Sequence, residues 1–316
     1  MRVPLWTLLL VATAVAACGK AGAPPPAAPG PAVTPPAGAP TLAEAGAATY
    51  SGIEEAGTDV TLAGGQWEGP PFREGAVSRP AVGLIDDLLL QGDLDGDGGD
   101  EAVVMLWSGS GGSGTRSHVA VLDRVDGQVV NVATRLLGDR VQLRGITLDA
   151  GVIRLDVVSS GSQDAACCPG DLASLAWRLG QGGLEDAEPP RVSGRLGLAA
   201  LEGSAWRLAK LAWSEPAPPS PGVTLTWTQG RFAGNAGCNE YHAGARDGGE
   251  MPGGIVLDPP AATRKICPPE AMQVEERFLA QLGAVRRLGF MSGRLMLDDQ
   301  GGAGMLFDRI ETVATP

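Results

Sequence analysis

Short apolar stretches separated by turn-forming residues recur along most of this 316-residue chain, and this spacing allows few folds. In the first half the stretches are 60–62, 102–107, 119–122, 129–132, 146–148 and 152–158. Asp126-Gly127 lies between two of them, and this dipeptide is typical of a tight β-hairpin. Because no long segment of helical periodicity interrupts them, residues 42–188 are predicted to form an antiparallel β domain.

One segment of the second half has helical spacing. Pro269 and Glu270 suit a first helical turn, and Gly283 suits a helix end. Between them one apolar stripe recurs at three- and four-residue intervals: Ala271, Val274, Phe278 and Leu282. Apolar stretches of strand length surround it. Residues 201–312 are therefore predicted to form a small antiparallel sheet with one packed helix, after a charged, proline-containing linker at 189–200. The fold class is mostly β, of the α+β type.

The first residues indicate export. Arg2 precedes an apolar run at 5–17 that is too short to span a bilayer, as in a secretory signal peptide. The run ends in Val15-Ala16-Ala17-Cys18, which resembles a bacterial lipobox. The resemblance implies removal of residues 1–17, acylation of Cys18 and anchoring to a membrane by lipid. Gly19 in the next position favours the outer membrane. The alternative is an ordinary secretory signal followed by an incidental cysteine.

A proline-rich segment follows Cys18. Residues 21–40 hold eight prolines among alanine and glycine, a composition that favours extended, solvated backbone. Residues 18–41 are therefore predicted to be a lipidated tether. A ligand for proline-binding domains is the alternative.

The charge balance bears on partners. The formal net charge is −12, and it becomes −13 without residues 1–17; only three residues are lysine. Such a chain lacks the basic surface of a nucleic-acid binder, so that class is set aside. The expected partners are the membrane, through the lipid anchor, and an unidentified envelope protein or ligand.

An acidic loop is the sharpest local motif. Asp93, Asp95 and Asp97 alternate, Gly99 offers a carbonyl, and Glu101 follows two residues later. Calcium takes six to eight oxygen ligands, and this spacing suits a calcium loop. The segment resembles the calcium loops of FG-GAP and related repeats, which also run directly into a strand. It lacks the twelfth-position glutamate and following helix of an EF-hand. The alternative is a solvated acidic turn.

Two further motifs lie in the first domain. Residues 109–114 match the glycine pattern of dinucleotide-binding loops, but a predicted strand follows, so a flexible hairpin loop is the better interpretation. The adjacent Cys167 and Cys168 would form either a vicinal redox-active ring or a disulfide that staples a loop. The domain resembles domains of other bacterial lipoproteins that share these acidic, glycine-rich and CCP segments.

A family resemblance covers the second domain. Its ordered motifs are Trp-Arg-Leu at 206–208, Gly-Arg-Phe-Ala-Gly at 230–234, Gly-Cys-Asn-Glu-Tyr at 237–241, Thr-Arg-Lys-Ile-Cys at 263–267 and the segment 272–282. Together they resemble the META-domain family, known from a heat-shock lipoprotein of enteric bacteria. The family usually has a second aromatic residue where Ala245 stands here.

Cys238 and Cys267 lie within these motifs. In an oxidising compartment a disulfide between them would stabilise the domain by about 3–4 kcal/mol in the chain-entropy model. His242 follows Cys238 by four residues, so a nucleophile–base pair is the alternative.

No sequence motif indicates catalysis. The chain lacks GxSxG, HExxH, SxxK and P-loop motifs, and its histidines are His118 and His242. The leading hypothesis is a non-catalytic envelope lipoprotein with a binding or envelope-integrity role. The alternative is an envelope enzyme or protease inhibitor acting on peptides or peptidoglycan. A third hypothesis makes the first domain a calcium-dependent adhesion module.

Overall fold

A computed structural model describes residues 38–218, 222–249 and 251–310. The predicted signal peptide, Cys18 and residues 18–37 of the predicted tether lie outside the described residues. Residues 38–41 of that tether are described, and the Pro40 carbonyl accepts a hydrogen bond from the Gln91 amide at 2.9 Å. Within the described ranges, no helix is long and apolar enough to cross a membrane.

Helix α1 (Leu42–Ala45) opens the first folded region. Thr41 caps it: its hydroxyl accepts from the Glu44 N–H, and the Glu44 carboxylate accepts from the Thr41 N–H. Two short strands, β1 (Thr49–Tyr50) and β2 (Val60–Thr61), then pair with each other.

A five-stranded antiparallel sheet forms the centre of the first region. Its strands pair in chain order and are β3 (Gln66–Glu68), β4 (Ala81–Gly92), β5 (Glu101–Gly109), β6 (Arg116–Val125) and β7 (Gln128–Asp139). Asp126 and Gly127 connect β6 to β7 with φ values of +50° and +80°, which confirms the predicted hairpin. Residues 110–115 join β5 to β6, so the glycine-rich loop connects two strands.

A second antiparallel sheet continues the meander with β8 (Gln142–Asp149), β9 (Val152–Ser159), β10 (Asp171–Gly180) and β11 (Gly183–Arg195). One face of it packs on the five-stranded sheet, and the opposite face of that sheet packs on residues 45–62. Strand β5 is therefore buried on both faces, which explains its continuous apolar sequence. The prediction of antiparallel β structure is confirmed.

The predicted linker differs from the structure. Residues 189–195 of it, which include Pro189 and Pro190, belong to strand β11, and this strand pairs with β10. Strand β11 is the edge of its sheet, where a missing N–H is tolerated, so proline there does not exclude a strand. Only residues 196–204, which include a 3₁₀ turn at Leu198–Leu201, connect the two folded regions.

The second region is one ten-stranded antiparallel sheet with a helix, as predicted. Helix α2 spans Pro269–Ala284 and buries Ala271, Phe278 and Leu282. The strands are β12 (Ala205–Ala212), β13 (Glu215–Pro216), β14 (Thr224–Thr228), β15 (Arg231–Asn235), β16 (Glu240–Asp247), β17 (Ile255–Leu257), β18 (Ala261–Ala262), β19 (Arg287–Met291), β20 (Arg294–Asp298) and β21 (Gly304–Ile310).

The two folded regions share buried contacts. Val158 and Leu172 of the first region and Leu196 of the connection belong to the same apolar cluster as Trp206 and Phe290 of the second region. The Phe290 N–H also donates to the Gln142 side chain at 2.8 Å. The outer face of the four-stranded sheet is thus covered by the second region at the end that holds Val158 and Leu172.

Candidate functional site

The acidic loop lies between β4 and β5 and is organised by its own carboxylates. Asp93 accepts hydrogen bonds from the N–H groups of Gly96 at 2.6 Å and Gly98 at 3.2 Å. Asp97 accepts from the N–H of Gly99 at 2.7 Å. Gly96 and Gly98 have φ values of +84° and +89°, a backbone conformation that favours glycine at both positions. The loop therefore holds its carboxylates in fixed positions.

Glu101 is the buried member of this loop, because it begins strand β5. Its side chain is 1% exposed, and Oε2 accepts a 2.6 Å hydrogen bond from the N–H of Leu94. Oε1 is buried and has no hydrogen-bond partner. Leu94 itself is buried in the core between the two sheets, which anchors the loop over Glu101.

The charges around Glu101 disfavour an ionised carboxylate. Burial raises the pKa of Glu101 to about 7, and the negative charges of Asp95, Asp123 and Asp97 act in the same direction. The hydrogen bond from Leu94 only partly opposes them. An ionised carboxylate without a partner at this position therefore lowers the free energy of unfolding. A cation beside it would offset this loss of stability.

Three of the predicted ligands come together. One carboxylate oxygen each from Asp93, Asp95 and Glu101 lies within 4.8 Å of the other two. Because calcium–oxygen distances are about 2.3–2.6 Å, oxygens on one ion are separated by up to about 5 Å, so this spacing fits calcium. Asp97 is outside this group. It accepts a hydrogen bond from the Gly99 N–H within the loop and adds a negative charge near Glu101. The donor set of carboxylate oxygens suits a hard cation.

The four cysteines among the described residues form two disulfide pairs. Cys238 and Cys267 are disulfide-bonded with their Cα atoms 5.9 Å apart, and Cys167 and Cys168 form a vicinal pair. Because Cys238 lies in a disulfide, it is not available as the thiolate partner of His242 in this state.

Asn239 follows Cys238 and connects several segments of the second region through buried hydrogen bonds. Its Oδ1 accepts hydrogen bonds from the Thr263 hydroxyl and the Lys265 N–H, both at 2.7 Å. Its Nδ2 donates to Oε1 of Glu275 on α2 at 3.0 Å. Asn239 is 3% exposed, so it ties β16, the segment before α2 and α2 together instead of lining an open site.

The structure contains a second buried polar cluster, which the sequence analysis did not predict. The Ser108 hydroxyl lies 2.8 Å from Oε2 of Glu55 and 2.9 Å from Nε2 of His118. Arg116 pairs with the other oxygen of Glu55 at 2.6 Å. The pairing of β5 with β6 brings Ser108 and His118 together, and Glu55 arrives from a distant loop.

This cluster differs from a catalytic triad. Ser108 is fully buried, and Nδ1 of His118 has no hydrogen-bond partner. In a triad the acid orients the histidine through Nδ1, whereas Glu55 lies on the Nε2 side here. The arrangement holds the 53–56 segment to the sheet.

His118 makes the stability of the first region depend on pH. Burial lowers the pKa of His118 from 6.5, although Glu55 opposes this. At this residue the unfolded chain then binds a proton more readily than the folded chain as the pH falls below 6.5, so the contribution of His118 to the free energy of unfolding decreases there. Glu101, whose pKa is raised to about 7, acts in the opposite direction. Urea unfolding at pH 7.5 and pH 5 therefore measures the contribution of His118 as the difference between the unchanged protein and a variant without it.

His118→Gln is the matched control for that measurement. It removes the titrating group, so the change in its free energy of unfolding from pH 7.5 to pH 5 should be more favourable than that of the unchanged protein. An equal change in both proteins would contradict the assignment to His118.

Comparisons with known proteins identify the second region. Residues 199–312 match the model of the META domain family, about a third of the chain. A search of curated proteins finds no match. The C-terminal region is thus a META domain, and it consists of the ten-stranded sheet and helix α2.

Proposed function

We propose that this protein is a lipid-anchored, non-catalytic envelope protein whose N-terminal β domain is stabilised by one calcium ion at Asp93, Asp95 and Glu101. The META domain suggests an envelope-related function. The lipobox-like sequence before Cys18 supports a lipid anchor, and the proline-rich segment after it supports a tether that separates the folded regions from the membrane.

The buried, unpartnered Oε1 of Glu101 carries the calcium proposal. Buried carboxylate oxygens almost always have a hydrogen-bond or metal partner, because an unsatisfied one costs free energy. Asp93 and Asp95 each place a carboxylate oxygen within 4.8 Å of a Glu101 carboxylate oxygen. A hard divalent cation supplies the missing partner and offsets the repulsion among the three carboxylates.

Calcium at this position would stabilise the junction of β4 and β5. Asp93 follows directly after β4, and Glu101 is the first residue of β5. An ion bound to both holds the two strand ends together. At a dissociation constant of about 10 µM, 1 mM calcium would add about 2.7 kcal/mol to the free energy of unfolding.

Calorimetric titration of the purified full chain with calcium tests the proposal. We expect saturable binding of one ion and a higher melting temperature in calcium than in EDTA. Glu101→Gln should weaken binding at least tenfold, because it removes the buried charge and keeps the side-chain size.

Asp100→Asn is the matched control. Asp100 is exposed and lies beside Glu101, but it is outside the group of close oxygens, so its variant should bind calcium nearly as well as the unchanged protein. Absence of binding, or equal binding by the Glu101→Gln variant, would overturn the proposal.

A further inference from the structure

A large cleft lies where the four-stranded sheet meets the META domain. Its volume is about 1000 Å³, at the upper end of the range for small-molecule sites. One wall is the outer face of β8 to β11, where Arg154, Asp156 and Ser174 are found. The other wall is the β19–β20 turn at Ser292 and Gly293 and the end of β21.

Two contacts hold the cleft open at a fixed width. The N–H of Gly293 donates to the carbonyl of Leu143 at 3.0 Å, which attaches the β19–β20 turn to β8. Arg294 pairs with Asp87 of β4 at 2.5 Å and with Asp308 of β21 at 2.7 Å. The two walls are therefore positioned by hydrogen bonds and ion pairs on both sides of the turn.

Arg144 enters this cleft through an irregularity in β8. Leu143 and Gly145 pair with consecutive residues of β9, so Arg144 is the extra residue of a β-bulge. Bulges redirect a side chain and recur beside binding sites. The buried Nε of Arg144 has no hydrogen-bond partner.

A second arginine reaches the cleft from the META domain. The Arg144 guanidinium carbon lies 5.4 Å from the centre of the Phe290 ring, and that of Arg309 lies 5.7 Å from the Trp206 ring. The two rings are neighbours, 6.2 Å apart. Two guanidinium groups from different regions are thus held on adjacent aromatic rings.

The acidic residues of the cleft form no ion pair with Arg144 or Arg309. Glu188 pairs with Arg154 at 2.8 Å, and Asp87 pairs with Arg294. Asp156 accepts a hydrogen bond from Ser174 at 2.6 Å. Among the residues that the structure describes, neither Arg144 nor Arg309 forms an ion pair with a carboxylate.

The electrostatic effect of Arg309 on Arg144 is unfavourable. Burial lowers the pKa of the Arg144 guanidinium, Asp156 raises it, and Arg309 lowers it. Arginine nevertheless remains charged in proteins, so both groups stay positive. Two positive groups that line one cleft of a strongly acidic protein are stabilised by a negatively charged ligand that contacts both.

We propose that this cleft binds a small ligand through an oxyanion group, a phosphate or a carboxylate, held by Arg144 and Arg309. Planar guanidinium groups match both oxyanions because each presents paired N–H donors. The site is complete only when the β domain and the META domain are in contact. The inference extends the proposed binding role of the protein to a ligand class and does not use the calcium loop.

Calorimetric titration of the full chain in EDTA at low ionic strength tests it. The probes are inorganic phosphate, N-acetylalanine and the uncharged N-acetylalanine amide. We expect saturable binding of at least one oxyanion and none of the amide. Phosphate binding alone indicates a phosphate-bearing ligand, and N-acetylalanine binding alone indicates a carboxylate such as a peptide end.

Substitutions locate the site. Arg309→Gln and Arg144→Gln should each weaken oxyanion binding at least tenfold, whereas Arg178→Gln, on β10 outside the cleft, should not. Arg309 is exposed, so its variant decides the outcome if Arg144→Gln does not fold. Absence of oxyanion binding, equal binding of the amide, or unchanged binding in Arg309→Gln would overturn the proposal.

Glu101→Gln separates this proposal from the calcium proposal. The acidic loop residues do not line the cleft, so the variant should bind the oxyanion as the unchanged protein does. Loss of calcium binding with intact oxyanion binding would show that the two sites are independent. Loss of oxyanion binding in Glu101→Gln, with its fold retained, would contradict the placement of the ligand on Arg144 and Arg309.

Discussion

Replacing Phe278 with alanine is expected to lower the free energy of unfolding by about 3–5 kcal/mol. Phe278 is fully buried on the inner face of α2, and its ring meets that of Tyr241 edge-on at 5.1 Å. Removing the ring leaves a cavity between the helix and the sheet of the META domain, which the surrounding strands cannot fill. Urea unfolding followed by tryptophan fluorescence measures the loss.

Met272→Ala on the same helix is the control. Met272 is 46% exposed, so its loss removes little packing and should change the free energy of unfolding by well under 1 kcal/mol. Similar losses in the two variants would show that α2 is not packed through its Phe278 face.

Replacing both Cys238 and Cys267 with serine is expected to cost about 3–4 kcal/mol of stability. The disulfide closes a loop with a sequence separation of 29, so it restricts the unfolded chain substantially. It also connects the start of β16 to the segment before α2. Thermal unfolding of the variant under oxidising conditions measures the effect, and a reducing agent should destabilise the unchanged protein by a similar amount.

The vicinal pair is the matched control for this experiment. Cys167 and Cys168 are adjacent, so a bond between them closes almost no loop of the unfolded chain. Replacing both with serine should therefore cost much less stability. An equal loss in the two double variants would mean that loop closure is not the source of the stabilisation.

The candidate calcium site was partly predictable. Alternating aspartates followed by glycine are a local pattern, so the sequence indicated the loop and five candidate ligands, of which the structure brings Asp93, Asp95 and Glu101 together. Burial of Glu101 was not predictable, because it depends on the packing of the segments above and below β5. That burial distinguishes this loop from a fully exposed acidic turn.

Fewer features of the sequence pointed to the buried Ser108–His118 cluster. Ser108 directly follows the predicted stretch 102–107 and His118 directly precedes the stretch 119–122, so their proximity depends on a hairpin register that the sequence did not specify. Glu55 comes from a segment without periodicity. Hydrogen bonds between such distant side chains are set by tertiary packing and leave no local pattern.

Residue composition alone led to a wrong prediction for part of the linker. Charge and two consecutive prolines made residues 189–195 resemble a connection, but an edge strand accepts both features. Whether such a segment pairs depends on whether a neighbouring strand offers a free edge, as β10 does here.

The sequence by itself determined the β-rich fold class, the α2 stripe, the META motifs, the Cys238–Cys267 pairing and the acidic loop. Each depends on residues close in the chain or on an ordered set of motifs. Only the tertiary structure decided that the two regions share a core, that Oε1 of Glu101 lacks a hydrogen-bond partner and that Arg144 and Arg309 line the same cleft. The physical reason is that burial and charge pairing arise between segments far apart in the chain, where solvent is excluded, and local periodicity contains no information about them.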